Sequence, residues 1–194
     1  MAKRVVLIQG HPDASGGHYC NALADAYAFG AERGGHEVRR IEIATLDIPF
    51  LRNKQDYDKG SVPGSLKAGQ DAIAWADHIV LIYPLWLGTM PALLKAWLEQ
   101  VLRSDFAFEI VEGGTWRKKL KGRSARIVVT MGMPAFVYRW YFGAHSLKSL
   151  ERNVLGFSGI APIRESLIGS VESKNDSGRK KWLERMRAYG RDGQ

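Results

Sequence analysis

The sequence predicts an α/β fold, one domain with a doubly wound parallel sheet and helices on both faces. Three observations predict it. Unbroken apolar runs of strand length recur as "RVVLIQG" (4–10), "HIVLIYP" (78–84) and "SARIVVTMG" (124–132). Segments with helical spacing of apolar residues separate them. A chain of 194 residues has the size of one domain and can bury a core without staples. Strands buried on both faces of a parallel sheet read as continuous apolar runs, and intervening helices supply right-handed crossovers.

Each element follows in order. "RVVLIQG" (4–10) is a strand ending in glycine, and "GHYCNALADAYAFGAERGG" (17–35) a helix closed by a glycine pair. "HEVRRIEI" (36–43) restarts as a strand. "LDIPFLRNKQDYDKGSVPG" (46–64) reads as an irregular excursion, long enough to suggest a functional loop. "AGQDAIAWAD" (68–77) makes a short helix and "HIVLIYP" (78–84) a second buried strand. The next helix carries the stripe Met90, Leu93, Leu94, Trp97, Leu98, Val101 and Leu102, with Thr89 placed as N-cap and Pro91 near the first position. "SARIVVTMG" (124–132) is the third apolar strand, followed by a helix at 142–157, a last strand at 160–171 and a closing amphipathic helix at 177–190. Five strands at this length suit the flavodoxin-like order 2-1-3-4-5, whose ligands bind beyond the carboxyl ends of the strands, near the switch point between strands 1 and 3.

Composition excludes several function classes. The formal charge is +8, but the basic residues are spread, with clusters at 116–123 and 178–187 that read as solvated faces rather than a nucleic-acid footprint. A phosphorylated small molecule is the remaining partner such charge would recruit. No zinc-ligand spacing, RNA-binding signature or basic zipper accompanies it. The apolar runs are too short to span or insert into a membrane. The lone Cys20 and the lack of a secretory leader favour a reducing, cytoplasmic setting.

Three loops then form the candidate site: 10–19, 84–89 and 131–141. The first combines Ser15, His11, His18 and flexible glycines ahead of a helix N-terminus, which favours an anion such as phosphate. On the plainer reading, Gly16 and Gly17 turn the chain and Ser15 caps the helix. Neither GxGxxG nor a Walker motif is present to support a dinucleotide-binding core or an ATPase. The second loop spends Leu85, Trp86 and Leu87 where polar residues are the rule, so a planar aromatic ligand the size of an isoalloxazine can rest there, or else Trp86, Leu87 and Trp97 belong to a core or a dimer contact. The third offers Thr130, Gly132, Phe136, Tyr138, Trp140 and Tyr141 to wall a pocket or to pack a contact.

The ordered set "GHP", "PLWLGTMPALLKAWLEQVL", "FAF" (106–108), "LKGR" (120–123), "TMG" and "GFSG" (156–159) resembles the NAD(P)H quinone oxidoreductases of flavodoxin-like fold. That group includes the DT-diaphorase-like enzymes and the ancillary subunits of potassium-efflux systems. The resemblance implies that residues 1–194 form a single flavin-binding domain. It implies that His11, Ser15, Gly17, His18 and Tyr19 hold the flavin phosphate and ribityl chain, that Pro84, Leu85, Trp86 and Leu87 line the isoalloxazine, and that Thr130, Met131 and Gly132 contact its pyrimidine edge. The family's catalytic Tyr and His match Tyr138, by spacing from Gly132, and His145, through a shortened segment. Two departures stand out: His18 occupies a place where a small hydroxyl residue is usual, and "TMG" replaces "TTG". The lack of the long C-terminal extension of the mammalian-type enzymes favours FMN over FAD. Implied further are ping-pong hydride transfer from NAD(P)H through flavin to a quinone or similar acceptor, and a homodimer with the flavin near the subunit boundary. The rival readings are a flavodoxin-type electron carrier, disfavoured by the basic charge, and a regulatory flavoprotein subunit with a transporter partner.

Overall fold

The three apolar runs lie side by side at the centre of one sheet. The computed structural model describes residues 1–111, 114–173 and 175–194. β1 (Arg4–Gln9) pairs in parallel with β2 (Glu37–Glu42) on one side and with β3 (His78–Pro84) on the other. β3 pairs with β6 (Ser124–Thr130) and β6 with β7 (Ile163–Ile168), all parallel, giving the order β2-β1-β3-β6-β7. This is the expected 2-1-3-4-5 arrangement of the main sheet. β4 (Phe108–Ile110) and β5 (Trp116–Lys118) form a separate antiparallel ribbon that the sequence reading did not anticipate.

Alternate strand residues point to opposite faces, so each run feeds two layers. Val5, Leu7, Val80, Ile82 and Val128 pack under α1 (Tyr19–Arg33) and α7 (Asp176–Arg191). Val6, Ile8, Ile79, Leu81, Ile127 and Val129 pack under α3 (Gly64–Trp75), α4 (Ala92–Val101) and α5 (His145–Ser149), which runs on through a π-helical stretch at Leu150–Leu155 into α6 (Gly156–Ser158). The predicted stripe of α4 is inward, with Leu94, Trp97 and Val101 fully buried. α1 and α7 meet backbone to backbone. A Cβ on Gly30 would fall 2.1 Å from the Arg187 carbonyl oxygen, and one on Gly190 would fall 2.1 Å from that of Tyr27. Only glycine permits that approach.

Several boundaries differ from expectation. α3 begins at Gly64, four residues early, and the 46–64 excursion contains the short helix α2 (Lys54–Lys59), whose N-cap Asn53 accepts the Asp56 N–H at 2.8 Å. Thr89 does not cap α4. It closes a two-residue turn with Trp86 through reciprocal backbone bonds of 2.8 and 3.0 Å, and Pro91 takes the N-cap position. The helix expected at 142–157 starts at His145, because Gly143 and Ala144 are both left-handed and a π turn occupies Val137–Tyr141 before them. No helix among the described residues is long and apolar enough to cross a membrane.

Candidate functional site

The loops after β1, β3 and β6 converge at the carboxyl end of the sheet, and β3, between the other two, joins them. Gly10 donates its N–H to the Ile82 carbonyl at 2.7 Å, and Leu85 donates to the Thr130 carbonyl at 2.7 Å. Gly10 has no space for a side chain, since a Cβ would meet Leu94 at 2.7 Å.

In the first loop the backbone of His11 is fixed by Gln9, whose Oε1 accepts the His11 N–H at 3.0 Å. The His11 ring is buried, with 8 % of the residue exposed, and its Nδ1 accepts the Asp13 N–H at 3.2 Å. That bond places the proton of the neutral ring on Nε2, which makes no hydrogen bond among the described residues. Asp13 accepts the Ser15 N–H at 2.8 Å and holds His18 Nε2 at 2.8 Å. The Ser15 bonds, then His18, draw the Asp13 carboxyl down to about 2. The His11 and His18 rings stack with centroids 3.8 Å apart and planes 16° apart. Burial, then the His18 charge, pushes the His11 imidazole below its ordinary value. Gly16 and Gly17 both have φ near 75°, with nothing within 4 Å of a Cβ on either. The chain then enters α1 with His18 as N-cap, making no side-chain capping bond and with no acidic residue in the first turn. The first N–H groups of a helix have no intrahelical partner, so this end is open to an anion. Ser15 is not the cap. Tyr19 reaches away, donating its hydroxyl to the Arg179 carbonyl at 3.1 Å.

The second loop stands proud. Leu87 and Gly88 have φ of 45° and 78°, the two left-handed central positions of the Trp86–Thr89 turn. Leu87 is fully exposed and Trp86 half exposed, while Pro84 is buried at the strand end and Leu85 packs against the core. A leucine in that conformation costs energy and gains no packing in this chain. The Trp86 ring meets the His11 ring edge-on at 5.7 Å, which joins the first loop to the second. On its other flank Trp86 and Leu87 border an open groove of about 520 Å³, completed by Met90, Lys95, Ser146 and Leu150.

The third loop divides. Thr130 is buried with its hydroxyl 3.2 Å from Cys20 Sγ, and Met131 is buried with its N–H on the Ile168 carbonyl at 2.9 Å. Gly132 is exposed beside the Glu172 carboxylate, which lies 3.6 Å from where a Cβ would be. Phe136, Trp140, Tyr141 and Phe142 point outward. Tyr138 instead is buried, its hydroxyl 2.7 Å from Ser146 Oγ and accepting the Leu147 N–H at 3.3 Å. His145 is exposed at the start of α5, its ring lying over Gly143. Tyr138 and His145 make no hydrogen bond with each other among the described residues.

The family described as flavodoxin-like fold matches residues 3–189. The chain belongs to that family. As a member of it, the chain is 30 % identical over 183 residues to an uncharacterized NAD(P)H oxidoreductase of Haemophilus influenzae, covering 92 % of this chain and 90 % of the relative. The expected kinship with the flavodoxin-like NAD(P)H oxidoreductases is therefore borne out. Among solved structures, the NAD(P)H:quinone oxidoreductase of Methanothermobacter marburgensis superposes with a TM-score of 0.82 at 22 % identity, over 99 % of this chain and 97 % of that one. An FMN-dependent NADH-azoreductase of Bacillus anthracis, in complex with FMN, gives 0.71 at 15 % identity over 100 % and 97 % of the two chains. Both share the fold.

Sequence reasoning missed two participants. Asp13 organises both histidines, and the spacing Asp-x-Ser ahead of a helix was the available signal, since an aspartate there turns the backbone. Ser146 is placed only by the burial of Tyr138, for which the sequence carries no sign.

Proposed function

We propose that this protein is a flavin-dependent NAD(P)H oxidoreductase that delivers hydride from NAD(P)H to a quinone or similar acceptor by a ping-pong sequence. FMN is the favoured flavin and FAD the alternative. One observation carries the reading: an uncapped helix N-terminus with the unpartnered Nε2 of His11 lies edge-on to an exposed, strained Trp86–Leu87 turn. A ligand with an anionic tail and a flat apolar ring fits that pair, and the open space above Gly16 and Gly17 admits its tail.

Bound there, the flavin supplies the hydride relay between nicotinamide and acceptor. The chain supplies position. The Ser15–Tyr19 turn and His11 hold the phosphate and ribityl chain, Pro84–Leu87 support the ring, and the exposed backbone of Gly132, following Thr130 and Met131, meets its polar edge. The Thr130 hydroxyl itself lies 3.2 Å from Cys20 Sγ. Tyr138 is a positioning residue that fixes the start of α5 through Ser146 and Leu147, and the exposed His145 is the member of the pair free to reach a ligand. The outward Leu87, Trp140, Tyr141 and Phe142 support a homodimer in which the second chain closes the acceptor pocket. With one free cysteine and such reductive chemistry, the cytoplasm is the proposed location.

The test loads the protein with FMN or FAD, desalts it, and follows the visible flavin band on anaerobic addition of NADPH or NADH. A retained band that bleaches supports an oxidoreductase. A retained band untouched by both nucleotides favours a carrier, and no retained flavin sinks the site.

A further inference from the structure

The stacked imidazoles of the first loop have an arrangement that a simple phosphate cradle does not need. His11 and His18 lie face to face at 3.8 Å, yet only His18 is paired with the Asp13 carboxylate. His11 is more than nine-tenths buried and its Nε2–H has no acceptor among the described residues. Two stacked imidazolium rings repel, and one carboxylate compensates one of them. The second proton needs a second anion, and the open N–H groups of α1 point to where it would sit.

We infer that His11, His18 and Asp13 form a proton-coupled receptor for the terminal phosphate of the flavin, taking up one proton from water as the dianion binds and so selecting a phosphorylated flavin over riboflavin. This rests on the flavin reading above. The charged and titratable groups facing the pair are few. Asp13 lies on the same loop, the β3 turn contributes the neutral Trp86, and α1 contributes Tyr19, which ties to Arg179 of α7, and Cys20, whose thiol burial pushes up to about 11. Asp13 stays charged and Tyr19 and Cys20 stay neutral between pH 6.5 and 8.5, which leaves His11 to take up the proton.

The dissociation constants of FMN and riboflavin are measured by fluorescence quenching from pH 8.5 to 6.5, a range in which the phosphate stays mostly dianionic because its second pKa is near 6. FMN should bind up to about tenfold tighter for each unit of falling pH, the slope of one coupled proton. Riboflavin should bind more weakly, with a flat profile. His18→Phe keeps a ring against His11 but removes the competing charge, and should displace the FMN slope to higher pH. Asp13→Asn, which keeps both rings, should displace the FMN slope to lower pH. Tight FMN binding with a flat wild-type profile, or a slope that both variants leave unchanged, overturns the inference alone. Failure of both flavins to bind at any pH overturns the flavin reading together with it.

Discussion

Two buried histidines sit at opposite ends of the same sheet, and their surroundings give them opposite fates. His11, beyond the carboxyl end of β1, stacks on a second imidazole held by a carboxylate, beside an open helix end. His78, at the amino end of β3, is 2 % exposed, holds Ser124 Oγ at 2.7 Å, and faces the cations of Lys3, Arg126 and Arg164. Burial first, then those charges, pull the His78 imidazole down to about 3, so it stays neutral in the folded chain. A buried titratable ring near a carboxylate and an open helix end can answer to a ligand. One sealed among cations can only charge the protein a penalty in acid. The carboxyl end is therefore arranged to meet a ligand, whereas the amino end seals His78 Nε2 away without a partner among the described residues.

Substitutions at the two ends should separate stability from ligand retention. The largest effect belongs to Arg126→Ala. This guanidinium is buried, donates to Ser166 Oγ and to the Gln194 carbonyl at 2.8 Å each, and lies 3.7 Å from the Tyr189 ring centre. Its loss should cost about 3 kcal/mol in urea denaturation with no change in flavin affinity. If flavin affinity falls as well, the two ends are not independent.

Next comes His78→Asn. In the wild type the unfolded chain binds a proton below about pH 6.5 that the folded chain refuses until about 3. The unfolded state then carries more protons, so stability is lost as pH falls across that window. The variant should recover about 2 kcal/mol of the stability lost between pH 7 and pH 4.5, read as a shallower acid limb in thermal melts.

Tyr138→Phe removes the contacts to Ser146 and Leu147 and should cost about 1 kcal/mol. It should slow flavin reduction less than it lowers the melting temperature of the α5 region, followed by hydrogen exchange. A reduction rate lost outright would return Tyr138 to direct chemistry. The smallest change is Leu87→Gly, which relieves a leucine at φ 45° and should stabilise by about half a kcal/mol. The same substitution should weaken flavin retention, and a variant that keeps its flavin unaltered would remove Leu87 from the ring site.

The central strands were legible because burial on both faces leaves no alternation to misread: 78–84 was found to the residue, and the runs at 4–10 and 124–132 overran by one and two residues. The β4–β5 ribbon was not, since its strands are three residues each and "WRK" is wholly exposed. Thr89 looked like a cap because threonine before a proline-led helix usually is one, but two left-handed residues ahead of it made a turn instead. Spacing identified Tyr138 and could not say which way it faces, because the π turn that rotates it inward has no propensity signal. Residues seven apart in a glycine-rich loop carry no periodicity either, so the stacking of His11 on His18 was invisible.

The glycine contact between α1 and α7 also governs the order in which the molecule can be completed. One layer of the sheet is covered by α3, α4 and α5, each made soon after the strand it packs on. The other waits: α1 is synthesised early, yet the helix that closes against Gly30 begins only at Asp176. At ribosomal speed that interval is on the order of ten seconds. During it the apolar edge of α1 and the face of β6 that carries Val128 lack their final cover, so the nascent chain waits with one side of its sheet open.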